Sequence, residues 1–139
     1  MKTSLVVITL LAILSVTAHA GVGETVKRVE ARYGKPEEVV REIGSFRALG
    51  YRYRGLMVIV GYVAGVCKTE SFVRPDHRRL SEADVQPLLG LSMAPGTTWK
   101  RLSDFKGDPT WIRSDGKVVA LLNEHILLRV QEKDFHEPK

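Results

Sequence analysis

One cysteine, Cys67, stands in 139 residues, so the chain cannot close an internal disulfide, even where the compartment would allow one. Its stability has to come from a packed core. Catalytic signatures are missing as well. There is no G-x-S-x-G nucleophile turn, and Ser114-Asp115-Gly116 reads as a hairpin turn instead. No glycine-rich loop ends in the Lys-Ser/Thr pair that cradles phosphate. His77, His125 and His136 are the only histidines after residue 20, and nothing in their spacing places one beside Cys67, as an activated thiol needs. Cys67 lies in an apolar strand and reads as a buried, inert thiol. Asp76-His77 and Asp134-x-His136 are the only local ligand pairs, and both sit in polar, solvated segments rather than in a metal cluster. The sequence therefore assigns no catalytic residue, no metal and no cofactor. Aromatic residues make up 7% of the chain, and no stacking motif accompanies the arginines, so nucleic acid is not an expected partner.

The first twenty residues carry a targeting pattern. Lys2 gives a positive start, Leu5 to Val16 is almost unbroken apolar sequence, and Ala18-His19-Ala20 puts small residues where a signal peptidase reads. The apolar run falls short of the roughly 20 residues that cross a bilayer comfortably. The reading is a secretory signal, 1–20, cleaved after Ala20, with a protein in the periplasm or outside the cell and no membrane anchor. The formal charge of the whole chain is +5. Loss of Lys2 lowers it by one, a modest excess that suits an anionic partner without requiring one.

Residues 21–139 are expected to form a single α+β domain. Thr25 can cap a helix whose apolar positions, Val26, Val29 and Tyr33, recur at helical spacing. Gly34 ends it and Pro36 prevents its continuation. Strands follow at Glu38 to Ile43, Phe46 to Arg54, Leu56 to Tyr62 and Val66 to Val73, with turns at Gly44-Ser45, Gly55 and Ala64-Gly65. Tyr51 and Tyr53 alternate with Arg52 and Arg54, so the tyrosines should face the core and the arginines water. After the charged loop Arg74 to Arg79, Ser81 with Asp84 resembles a capping box, and Val85, Leu88 and Leu89 form an apolar stripe. Pro87 predicts a kink or an early stop, and Gly90 the same role as Gly34. Strands then follow at Trp99 to Leu102, Thr110 to Arg113, Lys117 to Leu122 and Ile126 to Val130. The polar tail 133–139 is expected to fray.

The two halves lie on each other. Thr25, Val29, Tyr33 and Gly34 match Ser81, Val85, Leu89 and Gly90, while Tyr51, Val58, Tyr62 and Val66 match Trp111, Val118, Leu122 and Ile126. The expected architecture is two tandem units, about 24–75 and 80–132. Each has one short helix followed by about four antiparallel strands, and neither is large enough to bury its own face alone.

The run from Thr25 through Tyr33-Gly34-Lys35-Pro36, followed by Tyr51-Arg52-Tyr53 and a hairpin, resembles the SmpA/OmlA (BamE) group of small bacterial envelope proteins. Two such units in tandem are similar to the β-lactamase inhibitory protein family. The resemblance covers most of residues 21–139 as a pattern, and the Gly34-Lys35-Pro36 turn as a motif. BamE-type proteins are lipoproteins and the inhibitory proteins carry disulfides, and neither feature is possible with Cys67 alone. The resemblance implies a fold and a class of work, protein recognition in the envelope, and carries over no binding residue.

The surface feature above background is basic. Arg47, Arg52 and Arg54 come from one strand, and Arg74, His77, Arg78 and Arg79 from the loop between the halves. If that strand's outward face lies near the loop, they form a cationic patch for lipid headgroups, glycans or an acidic protein; otherwise they are a solvated sheet face and a charged linker. The leading expectation is an exported, non-catalytic protein-binding or inhibitor-like module of the bacterial envelope, its partner another envelope or extracellular protein. The alternatives are a small enzyme or ligand carrier with a cleft between the units, and a binder of polyanionic surfaces.

Overall fold

The computed structural model describes residues 21–139. The signal-peptide reading, 1–20, lies outside the described residues. The chain runs α1 (Val26–Tyr33), β1 (Glu38–Ile43), β2 (Phe46–Tyr53), β3 (Leu56–Val63), β4 (Val66–Val73), α2 (Glu82–Gly90), β5 (Trp99–Arg101), β6 (Thr110–Arg113), β7 (Val118–Asn123) and β8 (Leu127–Glu132). The eight strands form one antiparallel sheet in the order β1-β2-β3-β4-β8-β7-β6-β5. The α+β class and the antiparallel sheet expected from the sequence are both present.

Each helix forms for local reasons and is held by its apolar stripe. At α1, the Thr25 side chain accepts the backbone N–H of Arg28, and Gly34 closes the other end at φ 82°. Val29 and Tyr33, four apart, are buried against the sheet. At α2 the capping box is complete, since Ser81 Oγ accepts from the Asp84 N–H while the Asp84 carboxylate accepts from the Ser81 N–H. Val85, Leu88 and Leu89 are buried. Pro87 does not stop this helix, which runs on to Gly90. Pro87 and Ala83 are both exposed, so the carbonyl left without an intrahelical donor faces water, where hydration can replace the lost bond. Gly90 differs from Gly34 too. It is the last helical residue, and Leu91 forms the cap in right-handed geometry.

The strands are joined where the sequence placed turns. Ala64 and Gly65 both take positive φ, 50° and 78°, the geometry of a tight two-residue hairpin. The β7–β8 turn uses Glu124 and His125 in the same region, so β8 begins at Leu127 rather than Ile126. Residues opposite one another form continuous rows across the junction of the halves. Tyr51, Val58, Phe72, Leu128 and Leu122 make one row on the face beneath the helices. Leu49, Val60, Glu70, Val130 and Ala120 make the next. With Val29, Tyr33, Leu80, Val85, Leu88, Leu89 and Trp111 these rows form a single buried core, worth roughly 2 kcal/mol for each large side chain removed from water. A bulge in β4 keeps the pattern in phase: Gly61 opposes Thr69 and Tyr62 opposes Cys67, leaving Lys68 as the extra residue.

The other face of the sheet, called the outer face below, carries no helix. Its rows are Ala48–Gly61–Thr69–Gln131–Val119–Ile112 and Gly50–Ile59–Ser71–Arg129–Leu121–Thr110. The C-terminal tail crosses the first half of this face instead of fraying. Phe135 stacks on Phe46 with ring centroids 6.1 Å apart, and Glu137 pairs with Arg41 of β1 at 3.1 Å. The Phe135 N–H also bonds to the Glu132 carbonyl. A polar composition concealed one aromatic anchor, and that anchor gives the tail a place to pack.

Candidate functional site

The basic residues read from the sequence divide into two groups. Arg52 sits opposite Met57, which opposes Val73. Arg52, the Arg54 turn and the start of the Arg74–Arg79 loop therefore share one end of the sheet. Arg47, opposite Tyr62, lies at the other end, roughly 17 Å along the strand. Most of the group is also neutralised by its own neighbours. Arg47 pairs with Glu42 at 2.8 Å, Arg52 with Glu37 at 3.2 Å, Arg74 with Asp84 at 3.2 Å, and Arg78 with Asp76. Arg54 lies over the Tyr53 ring, 5.3 Å from its centroid. His77 is exposed in the left-handed region at φ 57°, and Arg79 is exposed. As the alternation predicts, Tyr51 is buried while Arg52 and Arg54 face water; Tyr53 is half-buried.

Among the described residues two charged side chains are buried. Glu70, on β4, is fully buried. One oxygen accepts from Arg32 Nη2 at 3.4 Å, and the other from the Tyr33 hydroxyl at 3.2 Å. Burial raises its pKa to about 7, against the lowering effects of Arg32 and Tyr33. Burial also pushes up the Tyr33 hydroxyl, and the Glu70 charge adds to it. Cys67 is fully buried, its thiol raised chiefly by burial, in keeping with the inert role expected of it. The second charge is Arg113, buried on β6, which holds Asp115 with two of its nitrogens and donates to the Ser92 carbonyl at 2.9 Å. The hydrogen bond from Arg113 holds the Asp115 carboxyl below the ordinary aspartate value. Arg32 donates to the Leu91 carbonyl at 3.2 Å, so Arg113 ties the segment after α2 to β6, and Arg32 ties it to α1 and, through Glu70, to β4. These groups act as internal braces.

The open surface lies on the outer face of the second half. Residues 105–108 form a small hairpin in which Phe105 and Asp108 exchange backbone hydrogen bonds, 2.9 Å each. Positive φ at Lys106 and Gly107 (51° and 84°) closes it. The Asp108 carboxylate accepts the Glu124 N–H at 3.0 Å, which fixes the hairpin to the β7–β8 turn. Phe105 is held out at 58% exposure, the largest value among the exposed large hydrophobic residues described. Beside it is an apolar hollow of about 350 Å³, lined by Phe105, Val119, Leu121, Arg129 and Gln131 among others. It continues along Leu121 and Arg129 toward Glu124 and Leu127.

From sequence alone Phe105 falls in the loop before Thr110 and Arg129 inside a strand. Two signals were present. An aromatic one residue before Lys106-Gly107 marks a turn that displays a ring. Arg129 between Leu128 and Val130 alternates out of the core. Glu70 gave no such signal, because a glutamate in a strand reads as solvent-facing unless the helix above it is known.

No family model matches the chain, and no curated protein matches it. Among solved structures it is similar to a cysteine-rich secretory protein from Staphylococcus aureus subsp. aureus Mu50, at 12% identity and a TM-score of 0.46. That alignment covers 81% of this chain and 45% of the other, so the chain spans less than half the length of the protein it matches.

Proposed function

We propose that this protein is an exported, non-catalytic protein-recognition module of the bacterial envelope that docks its partner on the outer face of β6–β8. The observation that carries this reading is the exposed Phe105 beside an apolar hollow, on a sheet face without a covering helix. Apolar patches of this kind, centred on an aromatic, are where binding energy concentrates in protein interfaces. Beneath the surface the rows Tyr51–Leu122 and Leu49–Ala120 form a packed floor, which presents the groove in a fixed shape and lowers the ordering cost of docking. Where a cleft between the halves would have to lie, β4 and β8 are paired over five residues.

The duplication read from the sequence belongs to the same proposal. It is supported by the order helix-then-four-strands occurring twice, and by a strand order that reads the same from either edge to the β4–β8 junction. A photo-crosslinker at Leu121 should capture a discrete protein in the native envelope, whereas one at exposed Lys27 on α1 should not. Equal capture from both positions, or from neither, would reject the docking face. The export reading predicts a secreted protein whose first residue is Gly21.

A further inference from the structure

We infer that the surface around Phe105 takes an acidic protein segment, one that places a bulky apolar side chain against Phe105 with carboxylates beside it. This rests on the docking face proposed above and adds the chemistry of its partner. The argument is one of charge. Arg129 stands in the wall of the hollow. Lys106 hangs over the Phe105 ring, 5.4 Å from its centroid. Lys100 opposes Ile112 in the ladder, which puts it on the same outer face at the β5 edge. Among the described residues none of these three cations has an ion-pair partner, whereas Arg47, Arg52, Arg74 and Arg78 all do.

The acids nearby lie outside the lining of the hollow. Asp108 is engaged by the Glu124 N–H. Asp104 and Glu82 are both paired with Arg101. Glu124 stands at the turn end of the groove, where it lines the continuation of the hollow. Among the residues lining the hollow itself Arg129 alone is charged, and the low-polarity walls around it strengthen its field. An incoming carboxylate beside an apolar anchor gains both contacts at once. A basic segment would have to desolvate against Arg129. The hollow, about 350 Å³, is large enough for one aromatic or leucine-sized side chain.

The test is selection of a random twelve-residue peptide library on the full secreted protein, followed by affinity measurement on the Phe105→Ala and Arg129→Glu variants. The expected peptides carry one Phe, Trp or Leu flanked by Asp or Glu. They should lose about tenfold or more on Phe105→Ala and a similar factor on Arg129→Glu, and weaken as salt rises. Binding of these peptides unchanged on Arg129→Glu, or a selected motif that is neutral or basic yet sensitive to Phe105→Ala, would overturn the acidic chemistry and leave the docking face standing. Peptides indifferent to Phe105→Ala would overturn both. Retention on heparin that exceeds peptide binding and ignores Phe105→Ala would assign the cations to a polyanion instead, and would also overturn the inference. Circular dichroism melts of both variants should match the parent, because Phe105 and Arg129 are exposed.

Discussion

The outer face of β2–β4 is largely covered by the chain itself, while β1 stays exposed at the edge and the outer face of β5–β8 is open. Over the first half, Phe135 lies on Phe46, whose ring lies over Gly61, and Ala48 and Thr69 are buried below. Arg41, Arg47 and Arg52 of that half are matched to acids of the same chain, and Arg54 lies over the Tyr53 ring. Over the second half the largest exposed ring is Phe105, and Arg129, Lys100 and Lys106 stand without ion-pair partners among the described residues. Both halves rest on the same ladder and the same core, so the difference comes from what the loops and tail add. The tail ends over one half, and the 105–108 hairpin rises over the other. A surface already satisfied by its own chain has little to gain from a partner, while an unsatisfied one gains contacts on docking.

The carboxylates held by arginine differ in parallel. In the first half Glu70 is sealed between β4 and α1, and its raised pKa means that ionisation works against the fold. Its contribution to stability is complete below the ordinary glutamate value of 4.5 and is lost as pH rises through about 7. In the second half Asp115 is held low by Arg113, so its contribution is present above the ordinary aspartate value of 3.8 and is lost as pH falls through the lowered value. The largest expected effect follows from this contrast. Glu70→Gln should match the parent near pH 4 and exceed it by about 3 kcal/mol near pH 8, measured as the difference between two urea-denaturation series. A difference that does not grow between pH 5 and pH 8 would break the contrast. Asp115→Asn should show the opposite trend, losing its penalty toward acid pH.

Gly61→Val comes next. A Cβ at Gly61 would lie 2.6 Å from Thr69 Cγ2 and 2.9 Å from the Phe46 ring, so the closed half should lose about 2 kcal/mol from overpacking. Val119→Thr on the open half should cost less than half as much in the same thermal melt. Deleting residues 133–139 removes the Phe135 stack and the Glu137–Arg41 pair, and should cost about 1 kcal/mol. It should also raise the amide exchange of Phe46 and Ala48 while leaving Val119 and Leu121 unchanged. Exchange rising equally in both halves would mean that the tail braces the whole sheet. The smallest effect on stability is expected from Phe105→Ala, within about 0.5 kcal/mol. The same substitution should abolish selective docking, which separates a displayed ring from a structural one.

Local chemistry made much of the fold legible before any coordinates. Thr25 and Ser81 as caps, Ala64-Gly65 and Ser114-Asp115-Gly116 as turns, and the alternation of Tyr51 with Arg52 are decided within a few residues of chain, and each was readable. Pro87 does not end α2, because its effect depends on whether the orphaned carbonyl meets water, which local sequence does not state. The arginines were readable as outward-facing, but their partners were not. Glu42 neutralises Arg47 across a strand pair, and Asp84 reaches Arg74 from the next helix. The tail was read as loose because one phenylalanine among charges has no periodicity to report. The groove was missed because it is assembled from β6, β7, β8 and a loop hairpin that no single stretch contains.

By itself the sequence determined where helices start, where strands turn and which side chains leave water, because capping, positive φ and apolar period act between residues a few positions apart. Tertiary structure decided which face is covered and which charges are cancelled. Both depend on groups such as Phe135 and Phe46, or Glu70 and Arg32, that meet only when distant strands are laid side by side.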